Sequence, residues 1–253
     1  TTAIYTLSLH DALPISSKNA SVSNSWKKWQ GEKKGINRLK TIETKRNFEE
    51  KFEKWADSKP EYKGISLKLK KLYDNLEPYS FATDYHNEAI MANEIIKFAG
   101  NASSLIVKLK DSKDEMTRAL NLILEPFYKD YHEPIDRKSF ELIVGEYSKN
   151  VPLNMQPAIF KEMLKTYKSV QGITDYIFSS SVFANSNKIY SMLSSGIDPE
   201  ILANDPAILF YNAFNEFYLS EIKPKADELN REITLLYRDY MKGQMEFNRD
   251  GIF

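Results

Sequence analysis

The 253-residue sequence predicts an all-α protein, and two observations support this fold class. Apolar residues recur at helical spacing along the chain, whereas stretches that alternate apolar and polar residues between turns are nearly absent. Signals for helix starts also repeat, as in Asp198-Pro199-Glu200 and Asp205-Pro206. Because 42% of the residues are hydrophobic, the chain can bury a sizeable core. We expect one domain of roughly eight to ten helices over residues 17–253.

The first predicted helix spans residues 21–55. Phe48, Phe52 and Trp55 continue its apolar face. Lys59-Pro60 ends it, since a proline disfavours helical geometry in the residue before it. Two further helices are expected over residues 63–76, closed by Pro78, and over residues 84–108, broken at Gly100-Asn101.

Ser112 and Glu115 have the spacing of a capping box in front of the next helix. In this pattern the hydroxyl and the carboxylate each accept a hydrogen bond from a backbone amide that a helix start leaves free. The helix that follows carries the apolar series Met116, Leu120, Ile123 and Leu124.

The rest of the chain predicts short helices and then one long helix. Pro157 fits the first turn of a helix that ends near Ser169, because proline lacks the amide that a first turn leaves unpaired. Pro224 is expected to kink the last helix, which otherwise runs from Pro206 to about Phe247. Further short helices are expected over residues 136–148, 174–183 and 186–193, with Gly172 as a separator.

The composition disfavours several classes of function. Thirty-five basic residues balance thirty-five acidic ones, so bulk charge gives no reason to expect nucleic-acid binding. The absence of cysteine excludes disulfides, thiolate zinc sites and a cysteine nucleophile, and it suits an exported protein. No apolar run has the length of a membrane span, and no signal peptide is evident.

His86 and His132 are the histidines outside the first sixteen residues. Neither has carboxylates at the spacing of a helix-borne metal site, so no metal or other cofactor is expected. Asp84 and Glu88 flank His86, but near neighbours on a helix point in different directions and no Gly-x-Ser-x-Gly elbow is present. We therefore expect both histidines on solvated polar faces and no catalytic residue in this chain.

The segment Asn24–Ile42, NSWKKWQGEKKGINRLKTI, combines a tryptophan pair, two glycines and an aliphatic series. At helical spacing its apolar residues can share one face, on which Gly31 and Gly35 replace larger side chains. The ordinary interpretation of such a face is core packing, with the glycines at a close helix crossing. The apolar residues are Trp26, Trp29, Ile36, Leu39 and Ile42.

The same segment resembles the start of the helical domain of the bacterial dipeptidyl-peptidase 7 and 11 family, serine exopeptidases that release dipeptides from peptide N-termini. At the other end, Leu236–Phe253 is similar to the last long helix of that family and the return of its chain toward the protease domain. Gly35–Phe52 and Asp198–Phe214 also resemble the family. The resemblance covers residues 19–253 and is strongest at the two ends.

The resemblance implies a multi-helix cap domain. In the family this domain is inserted in a chymotrypsin-like double β-barrel protease and covers its cleft, and the barrel supplies the whole catalytic triad. The barrel is absent from this chain, so the chain alone is expected to be inactive. Residues that set side-chain preference are also expected outside it, and the family implies a periplasmic location.

Asn24 is the one site residue that the resemblance implies. The family often has Asn-Tyr-Trp-Lys-Asn where this chain has Asn24-Ser25-Trp26-Lys27-Lys28, and the leading asparagine helps to hold the free ammonium group of the substrate. The alternative is that Asn24 only caps the first helix.

The expected partners are a peptide substrate and the β-barrel protease domain of the same protein, and a homodimer stays open. The alternative function is a helical scaffold or protein-interaction domain with no enzymatic role. Neighbouring sequence would distinguish the two, since a peptidase needs barrel segments with the triad on both sides.

Residues 1–16 are set apart from the predicted domain. Thr6–Ile15, TLSLHDALPI, is what a widely used DNA-sequencing adapter encodes. We interpret the segment as an assembly artefact, and the alternative is a disordered tail. On this interpretation the reading frame begins inside a gene, and the end at Asp250-Gly251-Ile252-Phe253 also suggests truncation.

Overall fold

The computed structural model describes residues 31–36, 38–196 and 198–249. These residues form helices and connecting turns, and no β-strand occurs among them, which confirms the all-α class. They divide into two compact units. The first contains residues 31–36, 38–68 and 237–249, and the second contains residues 69–196 and 198–236. The boundaries 1–16 and 17–253 fall on residues outside the described ranges, so they stay predictions.

The first unit is built on helix α1, residues 31–36 and 38–57, which ends close to the predicted position. Phe52 is fully buried, and its ring lies 5.1 Å from that of Tyr240 and 5.8 Å from that of Phe247. Trp55 stacks on Tyr62 at a centroid distance of 5.6 Å. The apolar face predicted for the second half of α1 is therefore a core face.

Ten further helices follow α1 among the described residues. Helical turns of π type lie at His86–Ile90 and Tyr218–Ile222, and 3₁₀ turns at Leu153–Met155 and Val182–Ala184. The helices are α2 (Ile65–Tyr85), α3 (Glu94–Leu109), α4 (Lys113–Asp130), α5 (Glu133–Asn150), α6 (Ala158–Tyr167), α7 (Val170–Ser180), α8 (Ser186–Ser194), α9 (Pro199–Ala203), α10 (Pro206–Phe217) and α11 (Lys223–Arg249).

The core of the second unit forms around α3 and α10. Phe210 stacks on Phe214 at 4.3 Å and meets the fully buried Phe140 edge to face at 5.3 Å. Gly100 lies where α3 crosses α10: a Cβ atom added there would stand 2.3 Å from the ring of Tyr211. The predicted break at Gly100-Asn101 is wrong, because this glycine permits a close helix crossing inside a continuous helix.

Two other helix boundaries also differ from prediction. Pro78 does not close the second helix, since α2 continues through it to Tyr85 and buries Ala82 in the core. The predicted helix over residues 84–108 is divided, because a π turn and a short non-helical stretch precede α3. Asn93 starts α3, and its side chain accepts a hydrogen bond from the Ile96 amide at 3.3 Å. In α2, tertiary packing outweighs the local cost of Pro78.

Sequence signals for helix starts predicted the structure more reliably than signals for helix ends. Asp198 accepts from the Glu200 amide at 3.0 Å and Asp205 accepts from the Ala207 amide at 2.9 Å, as the cap-then-proline pattern predicts. Ser112 stands at the start of α4, but its side chain makes no capping hydrogen bond, so the capping box is wrong in that respect. The kink expected at Pro224 stays a prediction, and a π turn separates α10 from α11 just before this proline.

Candidate functional site

Asn24, the residue expected to bind a substrate ammonium group, lies outside the described residues, as do Trp26 and Trp29. The aliphatic residues that follow them are described. Their exposed fractions are 57% for Ile36, 68% for Leu39 and 42% for Ile42. The interpretation of this part of the face as core packing is therefore wrong for this chain.

The two glycines beside this face have no packing role within the described chain. A Cβ atom added at Gly31 or Gly35 would meet no atom within 4 Å. By contrast, Gly243 in the same unit approaches the ring of Tyr62, where an added Cβ would stand at 3.1 Å. The predicted close helix crossing at Gly31 and Gly35 is thus not formed among the described residues of this unit.

His86 is buried, and the prediction of a solvated polar face is wrong for it. Its imidazole stacks on the ring of Tyr218, while Asp84 and Glu88 beside it in sequence are exposed. Burial lowers the pKa of His86 to about 4, because the charged form loses its hydration. His132 is exposed at the start of α5, as predicted.

The two π turns of the described chain meet at this stack. His86 is the first residue of one turn and Tyr218 is the first residue of the other. In a π turn the backbone hydrogen bond spans five residues, and such turns are often found at functional positions. Pro224 is a local signal for the second turn, because proline has no amide with which to continue the hydrogen-bond pattern of α10.

Asp205 ties two chain segments together in the second unit. Its carboxylate accepts hydrogen bonds from the Ser181 hydroxyl at 2.9 Å, from the Val182 amide at 2.7 Å and from the Ala207 amide. Burial raises the pKa of Asp205, and these hydrogen bonds act in the opposite direction. The side chain therefore fixes the turn between α7 and α8 onto the start of α10.

An open cleft of about 570 Å³ lies beside this turn. Tyr128, Tyr131 and Phe178 contribute aromatic rings to it, and Glu133 and Lys188 contribute charges. The Tyr128 hydroxyl donates to the Phe183 carbonyl at 2.8 Å. The lining contains hydroxyls but no imidazole that could activate one, so this cleft has the composition of a binding surface.

A second buried carboxylate lies near the cleft. Asp136 accepts from the Glu94 amide at 2.9 Å and from the Ile95 amide at 3.0 Å, and so caps the start of α3 from a neighbouring helix. Burial raises its pKa to about 6. The Tyr131 hydroxyl is buried with no hydrogen-bond partner in the described chain, and burial and the nearby Asp136 raise its pKa.

Within the described ranges, no group of three or more His, Asp or Glu side chains is placed to hold a metal ion. None of the described helices combines the length and apolar character needed to cross a membrane.

The model of the family Peptidase S46 matches residues 8–252. The chain belongs to the peptidase S46 family. The match covers nearly the whole chain, so it includes both units and the segment that carries Asn24.

Curated S46-type relatives are dipeptidyl-peptidases. The chain is 30% identical over 249 residues to the Asp/Glu-specific dipeptidyl-peptidase of Flavobacterium psychrophilum, covering 92% of this chain and 34% of that protein. It is 28% identical to dipeptidyl-peptidase 7 of Porphyromonas endodontalis, covering 90% of this chain and 28% of the relative. The chain thus spans about a third of the length of the relatives it matches.

Solved structures of Porphyromonas endodontalis DPP11 share the fold. One superposes with a TM-score of 0.61 at 19% identity, over 90% of this chain and 32% of that chain. Another, in complex with the dipeptide Arg-Glu, superposes with a TM-score of 0.59 over 83% of this chain and 30% of that one. This likeness supports the assignment of the chain to a helical part of the family structure.

Proposed function

We propose that this chain is the substrate-capping helical domain of a serine dipeptidyl-peptidase that removes dipeptides from peptide N-termini. The S46 match over residues 8–252 is the observation that carries the proposal. The all-helical structure supports it, because a chain without strands among its described residues suits a cap better than a β-barrel protease.

In this proposal the catalytic triad lies in the part of the protein that the relatives have outside the matched third. The stacked and buried His86 supports this division, because a base must be within hydrogen-bond reach of the proton it removes. The chemistry is acyl transfer to a serine, with the tetrahedral intermediate stabilised by backbone donors of the protease part.

The cap then determines that the enzyme is an exopeptidase. It closes one end of the cleft, and the side-chain carbonyl of Asn24 accepts a hydrogen bond from the substrate ammonium two residues before the scissile bond. A charge-assisted bond at that point favours free N-termini over internal peptide segments. We place the enzyme in the periplasm by resemblance to the family, and the absence of cysteine suits that location.

The proposal is tested with two purified proteins: the 253-residue chain and the full-length product of the gene that encodes it. Dipeptidyl reporter substrates should be cleaved by the full-length protein only, and a serine-directed fluorophosphonate should block that cleavage. Turnover by the chain alone that disappears in His86→Ala would contradict the division. A full-length product that binds another protein and cleaves no dipeptidyl substrate would favour the helical-scaffold alternative.

A further inference from the structure

The stack of His86 on Tyr218 lies at the backbone hydrogen bonds that close the two described π turns. The Met91 amide donates to the His86 carbonyl at 3.0 Å, and the Lys223 amide donates to the Tyr218 carbonyl. Each stacked residue therefore supplies one ring of the stack and also the acceptor that closes its own turn. A displacement of the His86 side chain acts directly on the hydrogen bond that closes the first turn.

The described chain offers no acceptor for a protonated His86. Among the described residues, no group forms a hydrogen bond or an ion pair with its imidazole. Protonation gives an imidazole two N–H donors, which lie in the plane of the ring and need acceptors there. The face of the Tyr218 ring attracts a cation, but it is parallel to the imidazole and cannot accept from these donors. The protonated side chain therefore satisfies its donors only by moving into water.

The ionisable residues around the stack do not change this balance. The first π turn packs against α5 and α10 and, through the stack, against the second π turn. Burial is the only cause of the lowered pKa of His86, so none of the ionisable groups on these elements favours its charged form. Those next to the stacked pair in sequence are exposed: Asp84, Glu88, Glu216, Glu221 and Lys223. Those buried on α5 are Asp136 and Tyr147.

The first π turn can open without unfolding the helices on either side. Met91, Ala92 and Asn93 are not helical, so they separate this turn from α3. Opening brings the buried side chains of His86 and Ile90 into water and leaves the aromatic core around α3 and α10 in place. Segments that bury few side chains and border irregular chain open more readily than core helices.

We propose that the His86–Tyr218 stack is a pH-sensitive switch, in which neutral His86 holds the first π turn closed and protonated His86 opens this turn while α3 and α10 stay folded. Histidine is suited to this role, because its ordinary titration lies in the mildly acidic range. Opening separates the end of α2 from the second π turn. The inference concerns a local conformational change and does not depend on the proposed peptidase activity.

Hydrogen exchange with single-amide resolution tests the switch in the full-length protein. The Met91 amide reports on the first π turn, and the amide of the fully buried Ala102 in the middle of α3 reports on the core. Exchange rates are divided by those of an unfolded peptide at the same pH. The opening equilibrium at Met91 should then rise about 30-fold from pH 7.5 to pH 5, because an open His86 with a pKa of about 6.5 binds a proton that the closed form, with a pKa of about 4, excludes.

Urea separates local opening from unfolding of the whole unit. The effect of urea on an opening equilibrium increases with the surface that the opening exposes. At urea concentrations below the unfolding midpoint, we expect exchange at Met91 to change little and exchange at Ala102 to accelerate steeply. The same urea dependence at both amides would overturn the proposal, because the turn would then open only with the core.

Two variants assign the effect to the imidazole. His86→Phe keeps a ring on Tyr218 and should abolish the rise at Met91, and His86→Gln should do the same if the phenylalanine variant does not fold. His132→Gln is the matched control and should keep the rise, since His132 is exposed. Asp136 titrates in the same range but is present in every variant, so its contribution cancels. A rise that persists without His86, no rise in the wild type, or an unprotected Met91 amide at pH 7.5 would each overturn the proposal.

Discussion

The imidazole ring of His86 lies parallel to the phenol ring of Tyr218, with centroids 4.1 Å apart and 9° between the planes. Both residues begin π turns, so the stack joins two irregular points of otherwise α-helical segments. His86 is 6% exposed, and a charged imidazole at this place would lose most of its hydration. Protonation of His86 is therefore unfavourable in the folded chain.

Acid should destabilise the chain through His86. The folded pKa of about 4 lies below the value of about 6.5 for an unfolded histidine. Between these values the unfolded state binds a proton that the folded state excludes, so stability is complete above pH 6.5 and falls as the pH drops toward 4. We expect this group to remove about 2 kcal/mol from the free energy of unfolding between pH 7.5 and pH 5.

Urea denaturation at both pH values measures this loss. His86→Phe keeps an aromatic ring against Tyr218 and should reduce the loss by about 2 kcal/mol. His132→Gln is the matched control and should behave like the wild type, since His132 is exposed. The raised pKa of Asp136, about 6, makes the free energy of unfolding rise as the pH falls. This contribution is the same in all three proteins, so it cancels when they are compared. Identical pH dependence of stability in the wild type and in His86→Phe would refute the assignment of this loss to His86.

Gly100→Ala should destabilise the second unit. The added methyl group would stand 2.3 Å from the ring of Tyr211, so either the ring or the two helices must move. Overpacking of this kind typically costs about 1–3 kcal/mol, which outweighs the better helix propensity of alanine. Gly145→Ala in α5 is the control: an added Cβ meets nothing within 4 Å there, and up to about 1 kcal/mol of stabilisation is expected. Thermal melts of both variants measure whether each substitution lowers or raises stability. If neither variant is less stable than the wild type, a tight crossing at Gly100 is excluded.

Asp205→Asn should destabilise far more than the loss of an ordinary helix cap. The amide has the shape of the carboxylate, but its NH₂ group would face either the Val182 amide, which needs an acceptor, or the donors at Ser181 and Ala207. We expect a cost of about 2–4 kcal/mol, because a buried donor loses a charge-assisted bond. Asp198→Asn at the exposed cap of α9 should cost less than about 1 kcal/mol. Chemical denaturation compares the pair, and equal costs would show that Asp205 acts only as a cap.

Helix starts were predictable because their signals are local. The caps at Asp198 and Asp205 depend on an oxygen and an amide two residues apart, so the sequence contains all that is needed. Gly100 was misread because a glycine inside a helical pattern marks either a break or a crossing. Which of the two occurs depends on Tyr211 in a distant helix.

The contrast between local signals and contacts with distant residues also applies to the candidate site residues. The burial of His86 depends on Tyr218, to which no pattern around residue 86 points. The aliphatic series of α1 was expected in a core because helical spacing shows that residues share a face but not what covers that face. Asn24 rests on family resemblance, and its role as a site residue or as a helix cap has to be decided by kinetics.

Asn24→Ala in the full-length protein distinguishes these two roles. If the side-chain carbonyl accepts a hydrogen bond from the substrate ammonium, the bond is charge-assisted and contributes about 1.5–3 kcal/mol. The variant should then lower kcat/KM by about 10- to 150-fold on peptides with a free amino group. Peptides with an acetylated N-terminus offer no ammonium, so their slow cleavage should hardly change.

A helix cap predicts a different pattern for the same variant. Loss of a cap lowers the free energy of unfolding by about 1 kcal/mol and affects both substrates alike, because it acts through the position of the helix and not through the ammonium group. Measuring kcat/KM on a free and an acetylated form of one peptide, together with a melting curve, separates the two roles. A large loss on the free peptide alone, with an unchanged melting temperature, assigns Asn24 to the substrate site, whereas equal losses on both peptides remove it from that site.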